Sequence, residues 1–365
     1  MTQSAYIHIP FCKNKCNYCS FTSFSAHSDA QRKKYVDTLL LEIDDFYKGE
    51  PLKTLYIGGG TPSLLEIKDL QRILYCFNYD PSCEITIEIN PETVDFEYLK
   101  KLKDTGFNRI SIGIQSFNDE ILKAIGRIHN ASRALQTVIA AKKAGFDNIN
   151  ADFIYGLPNQ TTDDFVNDLR TIEQTGVTHI SLYGLKIEEG CKFFENMPEN
   201  LADDDLQADM YLAAIDTLEN AGYEHYEISN FAKKGFESRH NLNYWNDGEY
   251  YGFGAAAHGY IGGVRYSNFC DLKDYEKKYD SKEFLEALNK QERLEETIFL
   301  GLRKAEGINI NEINQKFSID FETFYKGILD KYTQSNHLVK TQNGYRLSNE
   351  GFLISNVIMA EFIDC

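Results

Sequence analysis

Three cysteines lie within eight residues near the start of the chain, at Cys12, Cys16 and Cys19, with the spacing C-x3-C-x2-C. Three thiolates on one short loop can bind three irons of a [4Fe–4S] cluster and leave the fourth iron open to a small molecule. A structural zinc site normally has four protein ligands, and the nearest candidate for the fourth is His8. A disulfide is disfavoured because the number of cysteines in the loop is odd and nothing indicates secretion. The loop therefore predicts an iron–sulfur site, with zinc as the alternative.

Polar residues and glycines lie at the ends of apolar segments that alternate with helical patterns up to about residue 185. Gly58-Gly-Gly-Thr-Pro62 follows one segment, Glu88 and Gln115 lie at the ends of the next two, and Asp152 lies in the one after. In parallel α/β barrels, the chemistry takes place at the carboxyl ends of the strands. We therefore expect these groups to meet beside the cysteine loop. The glycines would let a ligand approach the backbone, where exposed N–H groups would bind it.

Six segments have the composition and length of β-strands. They are Tyr6–Ile9, Thr54–Ile57, Glu84–Ile89, Arg109–Ile114, Asn148–Ile154 and His179–Leu185. Consecutive β–α units predict parallel strands with right-handed crossovers. Isoleucines alternate with polar residues along the strand that begins at Arg109, whereas a parallel sheet covered on both faces is usually apolar throughout. The pattern predicts an α/β fold, namely a partial parallel (β/α)6 barrel with helices outside and a polar interior.

The remainder of the chain is less regular, and we expect three units in total. Residues 1–190 would form the barrel with the cysteine loop, 191–290 an extension of that core, and 291–365 a smaller C-terminal α+β domain. Helical patterns in the last unit precede Leu338–Leu347, a hairpin sequence with Asn-Gly at its turn. Helices followed by a two-stranded wing predict a winged-helix-like domain.

Composition limits where the protein acts and what it binds. The chain has 365 residues, of which 42% are hydrophobic and 25% charged, as in an ordinary globular protein. The formal net charge of −17 disfavours nucleic acid as a partner, because phosphates are bound through Lys and Arg. No apolar run approaches the roughly 18 residues that span a bilayer, and the first residues lack the pattern of a signal peptide. We expect a cytoplasmic protein that is not integral to a membrane but can contact membrane-bound clients peripherally.

The cysteine loop, with Tyr18 directly before its last cysteine, resembles the cluster loop of radical S-adenosylmethionine (SAM) enzymes. In that superfamily the open iron binds SAM, and one electron from the cluster cleaves the sulfonium to give methionine and a 5′-deoxyadenosyl radical. The resemblance implies a [4Fe–4S] cluster on the three cysteines, SAM as a second cofactor and an electron donor as a partner.

Five segments narrow this resemblance to one family. Tyr-Ile-His-Ile-Pro-Phe-Cys, Gly-Gly-Gly-Thr-Pro, Glu-Ile-Asn-Pro-Glu, Ser-Ile-Gly-Ile-Gln-Ser-Phe and Asp-Phe-Ile-Tyr-Gly-Leu-Pro-Asn-Gln-Thr resemble the oxygen-independent coproporphyrinogen III oxidase family and occur in its order. By position, the resemblance implies contacts to SAM from Tyr6, Tyr18, Gly59, Gly60, Thr61, Glu88, Gln115, Arg127 and Asp152. Periodicity alone would make Arg127 a surface arginine, so its assignment depends on the resemblance.

Two departures distinguish the chain from the oxidases of that family. The oxidases have another cysteine two residues after the third cluster cysteine, where this chain has Phe21, and an additional segment before the cluster. Instead, His240-Asn-Leu-Asn-Tyr-Trp245 resembles the H-N-x-x-Y-W motif of HemW-type heme chaperones, and Gly252–Gly259 is similar to the same group. The resemblance therefore favours heme binding over coproporphyrinogen oxidation.

His240 is the candidate residue for binding heme. A neutral imidazole is a common axial ligand of heme iron, and the rings of Tyr244 and Trp245 can stack on a porphyrin. We expect His240 outside the six-strand core, within a segment rich in glycine and aromatic residues. An ordinary hydrogen-bonded histidine is the alternative, and His258 is a second candidate, for which a structural role is favoured over a ligand role.

Together these features imply one function and several alternatives. The resemblance implies a chaperone that binds heme and transfers it to an apo-hemoprotein client, and it leaves open whether SAM is cleaved. The alternatives are an oxygen-independent coproporphyrinogen III oxidase and another radical SAM enzyme, whereas the residues at the strand ends disfavour a structural zinc protein. Iron and sulfide content separates the zinc protein from the rest, and an anaerobic assay with coproporphyrinogen III separates the oxidase.

Overall fold

The computed structural model describes residues 2–363, and their first half alternates strands with helices. Its elements are β1 (Ser4–Ile9), α1 (Asp29–Phe46), β2 (Leu52–Gly59), α2 (Ile67–Leu74), β3 (Tyr79–Ile89), α3 (Phe96–Thr105), β4 (Arg109–Gln115), α4 (Asp119–Ala124), α5 (Ala131–Lys143), β5 (Asn148–Tyr155), α6 (Thr162–Glu173) and β6 (His179–Gly184). All six expected strands are present. The largest difference is at β3, which begins at Tyr79 rather than Glu84.

The middle of the chain adds short strands and helices to this core. Its elements are α7 (Lys192–Glu195), α8 (Asp204–Asn220), β7 (Glu224–Glu227), β8 (Asn230–Ala232), α9 (Arg239–Trp245), β9 (Tyr251–Phe253), β10 (His258–Ile261), β11 (Val264–Ser267), α10 (Leu272–Lys278) and β12 (Phe284–Ala287). The H-N-x-x-Y-W motif therefore lies on a helix, α9. Strands β10, β11 and β12 form a separate antiparallel sheet.

One sheet of nine strands, rather than six, runs through the core, in the order β7–β8–β6–β5–β4–β3–β2–β1–β9. Strands β1 to β6 are parallel to one another, which confirms the partial parallel barrel. Strand β9 extends it in parallel beside β1, and β8 and β7 extend it in antiparallel beyond β6. Residues from the middle of the chain thus complete both edges of the barrel.

The two faces of this sheet differ as the alternation of residues indicates. Isoleucines of successive strands, including Ile57, Ile87, Ile112 and Ile149, are buried in the main hydrophobic core. The other face carries polar residues in register across the barrel, since Glu88 pairs with Ser111, Ser111 with Asn150, and Asn150 with His179. The barrel interior is therefore a stack of polar layers, as expected from the sequence.

The outer helices begin and end at residues that favour helix termini. Ser28 caps α1 in a capping box with Gln31, and Thr161 caps α6 in a second capping box of the same kind. Gly106 and Gly145 follow α3 and α5 in the left-handed region, with φ of 118° and 94°, where glycine has no steric penalty. These short stops let each helix return the chain to the next parallel strand.

The C-terminal segment contains several helices around a small antiparallel sheet. Its elements are α11 (Lys290–Leu302), β13 (Ile308–Asn309), α12 (Ile310–Phe317), α13 (Phe321–Phe324), α14 (Lys326–Gln334), β14 (Leu338–Lys340), β15 (Gly344–Leu347), α15 (Asn349–Leu353) and α16 (Ser355–Ala360). The expected hairpin is present, with β13 as a third strand. Its turn spans residues 341–343 rather than Asn-Gly, because Gly344 is already paired with Asn309. Every helix within residues 2–363 is too short or too polar to cross a membrane.

Candidate cluster and S-adenosylmethionine site

A cavity of about 510 Å³ opens where the carboxyl ends of the parallel strands meet the cysteine loop. All of the expected site residues except Tyr6 and His240 line it. These residues are Cys12, Cys16, Tyr18, Cys19, Gly59, Gly60, Thr61, Glu88, Gln115, Arg127 and Asp152. The structure thus brings together residues that the sequence spreads over 140 positions, from Cys12 to Asp152.

The cysteine loop is fixed by hydrogen bonds to the segment that follows α4. The Asn17 N–H donates to the Ile125 carbonyl at 3.0 Å, and Asn17 Nδ2 donates to the Ala124 carbonyl at 2.9 Å. Asn14 Nδ2 donates to the carbonyl of Gly126 at 2.9 Å. The short polar side chains between the cysteines therefore anchor the loop and leave the thiols to face the cavity.

The thiols have donors beside them that favour a thiolate or sulfide-rich group. Thr61 Oγ1 lies 3.6 Å from Cys12 Sγ, and Arg127 Nη1 lies 3.6 Å from Cys16 Sγ. Burial raises the pKa of the Cys12 thiol and raises that of Cys19 to about 11, so metal binding would have to displace their protons. Within residues 2–363, no three His, Cys, Asp or Glu side chains converge as they would around one metal ion. Three thiols along one cavity wall instead fit a cluster, whose ligands bind different irons.

Arg127 faces the cavity and not the solvent, as the family resemblance implied and periodicity alone did not. Its Nη2 donates to Asn90 Oδ1 at 2.7 Å and to the Gly113 carbonyl at 2.6 Å. Asn90 Nδ2 in turn donates to Thr61 Oγ1 at 2.9 Å. Asn90 was missed as a site residue, although it directly follows β3 and the strand-end rule would have found it.

The glycine loop after β2 allows close backbone packing and does not present free N–H groups. The N–H groups of Gly59, Gly60 and Thr61 donate to Glu88 Oε2, the Ile9 carbonyl and the Phe11 carbonyl at 3.0, 2.9 and 2.7 Å. The expectation that they are exposed for a ligand is therefore wrong. A Cβ on Gly60 would lie 2.7 Å from the Phe11 carbonyl oxygen, so glycine is required where the loop contacts the residues leading into the cysteines.

Two half-buried carboxylates, Glu88 and Asp152, lie at the floor of the cavity. Glu88 accepts hydrogen bonds from the Tyr56 hydroxyl at 2.7 Å and from the Gly59 N–H. Asp152 accepts from Ser111 Oγ at 2.8 Å and from Asn150 Nδ2 at 2.7 Å. Burial raises the pKa of Glu88 to about 7 and also raises the pKa of Asp152. A cationic ligand would lower both, because opposite charge favours the ionised carboxylate.

Gln115 reaches the cavity through an unusual backbone conformation. It is the last residue of β4 and has a φ of 71°, in the left-handed region that residues other than glycine rarely adopt. The register between β4 and β5 is irregular at the same place, between Gly113 and Gln115. Such strain concentrates at functional sites, and here it directs a polar side chain to the cavity wall.

Tyr6 lies below the cavity and not on its wall. Its hydroxyl is 3.0 Å from His8 Nδ1, and its ring stacks on the Tyr56 ring with centroids 6.1 Å apart. Tyr6 therefore supports Tyr56, which in turn donates to Glu88. The structure does not bring Tyr6 to the positions where the other expected SAM contacts meet.

His240 lies at the floor of the barrel, where α9 packs against β2, so its expected position outside the six-strand core is wrong. Its side chain is 1% exposed, with Nδ1 2.8 Å from Thr54 Oγ1 and Nε2 2.7 Å from the Tyr244 hydroxyl. Its N–H donates to Glu84 Oε1 at 3.1 Å. Burial lowers the pKa of His240 to about 3, so its imidazole is neutral. Coordination of iron through Nε2 would require Tyr244 to move away.

Trp245, at the end of α9, faces the C-terminal segment and not His240. The guanidinium of Arg303 lies over its ring, 4.5 Å from the centroid. Trp245 also lines a second cavity of about 590 Å³, together with residues of α11, α12 and the loop after β14. The motif thus joins the barrel floor to the C-terminal helices.

The open parallel barrel, with a three-cysteine loop over its strand ends, defines a radical SAM protein. Residues 6–172 match the Radical SAM superfamily, and residues 288–354 match the HemN C-terminal domain. "Heme chaperone HemW" of Lactococcus lactis is 37% identical over 369 residues, which cover 99% of this chain and 97% of that protein. The protein of the same name from Bacillus subtilis is 35% identical over 377 residues, which cover 99% of both chains. The chain therefore belongs to the HemW family.

Solved structures support the same fold. Coproporphyrinogen III oxidase (HemN) from Escherichia coli, described as a radical SAM enzyme, superposes with a TM-score of 0.87. The match covers 100% of this chain and 90% of that one, at 23% sequence identity. This likeness concerns the architecture, which extends over the barrel and the C-terminal segment alike.

Proposed function

We propose that this chain is a heme chaperone that binds heme and transfers it to an apo-hemoprotein. The observation that carries the proposal is the similarity over nearly the whole chain to relatives that are named heme chaperones. The arrangement of the cavity supports the cofactor part of the proposal, because the residues expected for the cluster and for SAM line one space. A client hemoprotein and an electron donor are the partners that this function requires.

In this proposal Cys12, Cys16 and Cys19 hold a [4Fe–4S] cluster, which supplies one-electron chemistry and an open iron when bound. Arg127 stabilises negative charge at Cys16, and its bonds to Asn90 and Gly113 keep the guanidinium in place. The two carboxylates at the cavity floor receive the cationic groups of SAM. Gln115 and the glycine loop shape the walls around it.

His240 is the proposed heme ligand, in its neutral form. Both of its ring nitrogens already have partners, so iron would have to replace the Tyr244 hydroxyl at Nε2. Because α9 also donates backbone N–H groups to Glu84, exposing His240 requires part of this helix to leave the barrel floor. Heme binding in this proposal is therefore coupled to a movement of α9.

Phe21 argues for the chaperone over the oxidase. It is 69% exposed and lines the cavity beside the cysteine loop. The oxidases have a cysteine at this position, whereas phenylalanine offers no acid–base or redox group. The cavity mouth of this chain is accordingly suited to contact an apolar molecule and not to take part in chemistry.

Anaerobic reconstitution with iron and sulfide, followed by two assays on one sample, tests the proposal. Heme titration should give a saturable Soret shift, and the heme-loaded protein should deliver heme to apomyoglobin at a rate different from that of free heme. His240→Ala should lower heme affinity while iron and sulfide contents stay at the parental level. The matched variant His258→Ala should bind heme like the parent.

Two results would contradict different parts of the proposal. If the parent binds no heme but decarboxylates coproporphyrinogen III with SAM and a reductant, the chain is an oxidase. If His258→Ala loses heme and His240→Ala retains it, the chaperone function stands and the ligand assignment is wrong.

A further inference from the structure

Arg109, the first residue of β4, carries a buried positive charge without a direct negative partner. Its side chain is 2% exposed, and its Nε has no hydrogen-bond partner among the residues that the structure describes. None of the ion pairs formed within residues 2–363 involves it. An isolated buried charge is strongly unfavourable, so natural proteins pair such groups or use them.

Strand register places this guanidinium directly beneath the floor of the cavity. Arg109 pairs with Thr86 of β3, and Glu88 is the next residue on the same face of that strand. On β4 itself the next residue on this face is Ser111, which donates to Asp152. The guanidinium thus belongs to the polar layer below both carboxylates. The hydroxyl of Thr86, in the same layer, also lacks a hydrogen-bond partner within the described part of the chain.

Apart from carboxyl groups, the titratable groups around Arg109 are neutral. Those that interact with its charge are Tyr56, Glu88, Asp152, His179, Tyr226 and His240. Burial lowers the pKa of both histidines and raises the pKa of both tyrosines, so none of the four is charged near neutral pH. Glu84, the other carboxylate on the inner face of β3, already accepts the N–H groups of Arg239 and His240.

Three tyrosines also face Glu88, in addition to Arg109, Asp152 and the groups that donate hydrogen bonds to Glu88. They are Tyr6, Tyr183 and Tyr244. Burial raises the pKa of each of these tyrosines, so they add no charge. Among these neighbours, Arg109 is therefore the cation that opposes the two carboxylates.

We propose that Arg109 is a positioning residue of the SAM site, whose unpaired guanidinium supplies a countercharge that favours the ionised form of Glu88 and Asp152 for the ligand. This inference rests on the proposed function, because it takes these two carboxylates as SAM contacts. A direct ion pair would occupy the same carboxylate oxygens that the ligand needs. By register, Arg109 lies one same-face step below Glu88 and two below Asp152, where its charge favours the ionised form of both and leaves those oxygens available.

The sign of the expected pH effect follows from the burial of Glu88. With Arg109 in place, burial raises the pKa of Glu88 to about 7. Removing the cation raises this pKa further, because the charge of Arg109 favours the ionised form. At pH 7 more of the carboxyl group would then be protonated, and SAM, with its sulfonium and ammonium charges, would bind more weakly until the pH is raised.

The experiment measures the SAM dissociation constant of the anaerobically reconstituted protein by calorimetry from pH 6 to pH 9. Arg109→Met should bind SAM up to about fivefold more weakly at pH 7, because Glu88, half ionised in the parent, would become mostly protonated, and it should approach the parent at pH 9. Arg109→Lys keeps the charge and should follow the parental profile. Lys100→Met removes an exposed cation that pairs with Asp104 on α3, and it should leave the profile unchanged.

Three outcomes would count against the inference. An Arg109→Met profile equal to that of the parent, or weaker by the same factor at every pH, would show a dispensable or merely structural residue. A second comparison covers the case in which Arg109→Met does not fold. The double variant Glu88→Gln/Arg109→Met is then compared with the single variant Glu88→Gln. The double variant should fold and should bind SAM less than about threefold more weakly than Glu88→Gln, because one of the two negative charges is already gone. Failure of the double variant to fold, or a larger loss of affinity, overturns the inference. If the parent binds no SAM at any pH, the proposed function itself fails.

Discussion

The ring of His240 stacks on the ring of Tyr56, with centroids 5.2 Å apart and planes inclined by 28°. The hydroxyl of the same tyrosine donates to Glu88 at 2.7 Å. One side chain therefore connects the helix with the H-N-x-x-Y-W motif to a carboxylate of the cavity. A movement of His240 would remove the surface on which Tyr56 packs, so we expect it to disturb the hydrogen bond between Tyr56 and Glu88.

His240→Asn should destabilise the protein even without heme. The change removes the buried ring from Tyr56 and its contacts with Thr54 and Tyr244. Losing a buried ring together with two hydrogen bonds typically costs about 2–4 kcal/mol. Urea denaturation of the apo-protein at pH 7.5 measures the loss. His258→Asn, at an exposed position, should change stability by less than about 0.5 kcal/mol; equal effects of both substitutions would contradict a structural role for His240.

The same histidine should make stability depend on pH. Burial lowers its pKa to about 3 in the folded state, against about 6.5 in the unfolded chain. The unfolded state binds the proton between these values, so the stabilisation is complete above pH 6.5 and is lost as the pH falls below it. Between pH 6.5 and pH 5 the parent should lose about 1.5 kcal/mol that His240→Asn does not lose. If both proteins lose the same free energy of unfolding between the two pH values, the pH dependence does not come from His240.

Cys16→Ala should yield a folded protein without a stable [4Fe–4S] cluster, because two thiols cannot bind three irons. Iron and sulfide analysis and the visible absorbance of the reconstituted protein measure the loss. Cys270→Ala makes the same change at an exposed thiol outside the cavity and should retain the cluster, as should Phe21→Cys, since residue 21 is not a ligand in this assignment. Full iron content in Cys16→Ala would remove Cys16 from the ligand set.

Asp152→Asn should weaken SAM binding while the cluster remains. The substitution keeps the shape of the side chain but removes the charge that Ser111 and Asn150 orient. Losing a hydrogen bond to a charged group costs about 1.5–3 kcal/mol, which is about ten- to a hundredfold in affinity. Calorimetry on the reconstituted protein gives the value, with the exposed Asp104→Asn as the control. Unchanged affinity would leave Asp152 as a structural residue of the barrel.

Gly60→Ala should disrupt the contact between the glycine loop and the cysteine loop. Its Cβ would meet three backbone atoms of Ile9 and Phe11 at 2.7–3.0 Å, and backbone cannot rotate away as a side chain can. We expect a loss of about 1–3 kcal/mol in stability and reduced cluster content. Gly327→Ala on helix α14 is the matched control, because no atom of residues 2–363 lies within 4 Å of its added Cβ. It should be neutral or stabilise by up to about 1 kcal/mol.

The barrel and most of the cavity could be predicted from the sequence because they follow from local patterns. Alternation along β4 shows which face is polar, and the strand-end rule brings Glu88, Gln115 and Asp152 to one rim. The direction of Arg127 could not be predicted in this way. It depends on the turn at Gly126, with a φ of 78°, and on acceptors at Asn90 and Gly113 from other strands.

Long-range packing explains the remaining differences. Helix α9 docks beneath β2, where Thr54 contacts His240 across 186 positions of sequence, and no periodicity within the motif indicates this partner. The glycine loop likewise has N–H groups whose acceptors, Ile9 and Phe11, lie about 50 residues earlier in the chain. Motif composition identifies such segments, but their neighbours decide which of their groups remain available.

Strand β1, which leads into the cysteine loop, has consequences for the order in which the protein is made. It pairs with β2 on one side and with β9, around residue 252, on the other. A nascent chain that has just completed β6 contains every cysteine and strand-end residue of the cavity, yet β1 is still an edge strand and α9 has not been synthesised. The sheet that supports the cavity becomes complete only when residues up to Phe253 have left the ribosome. Iron–sulfur assembly on this chain is therefore expected to follow the pairing of β9 with β1.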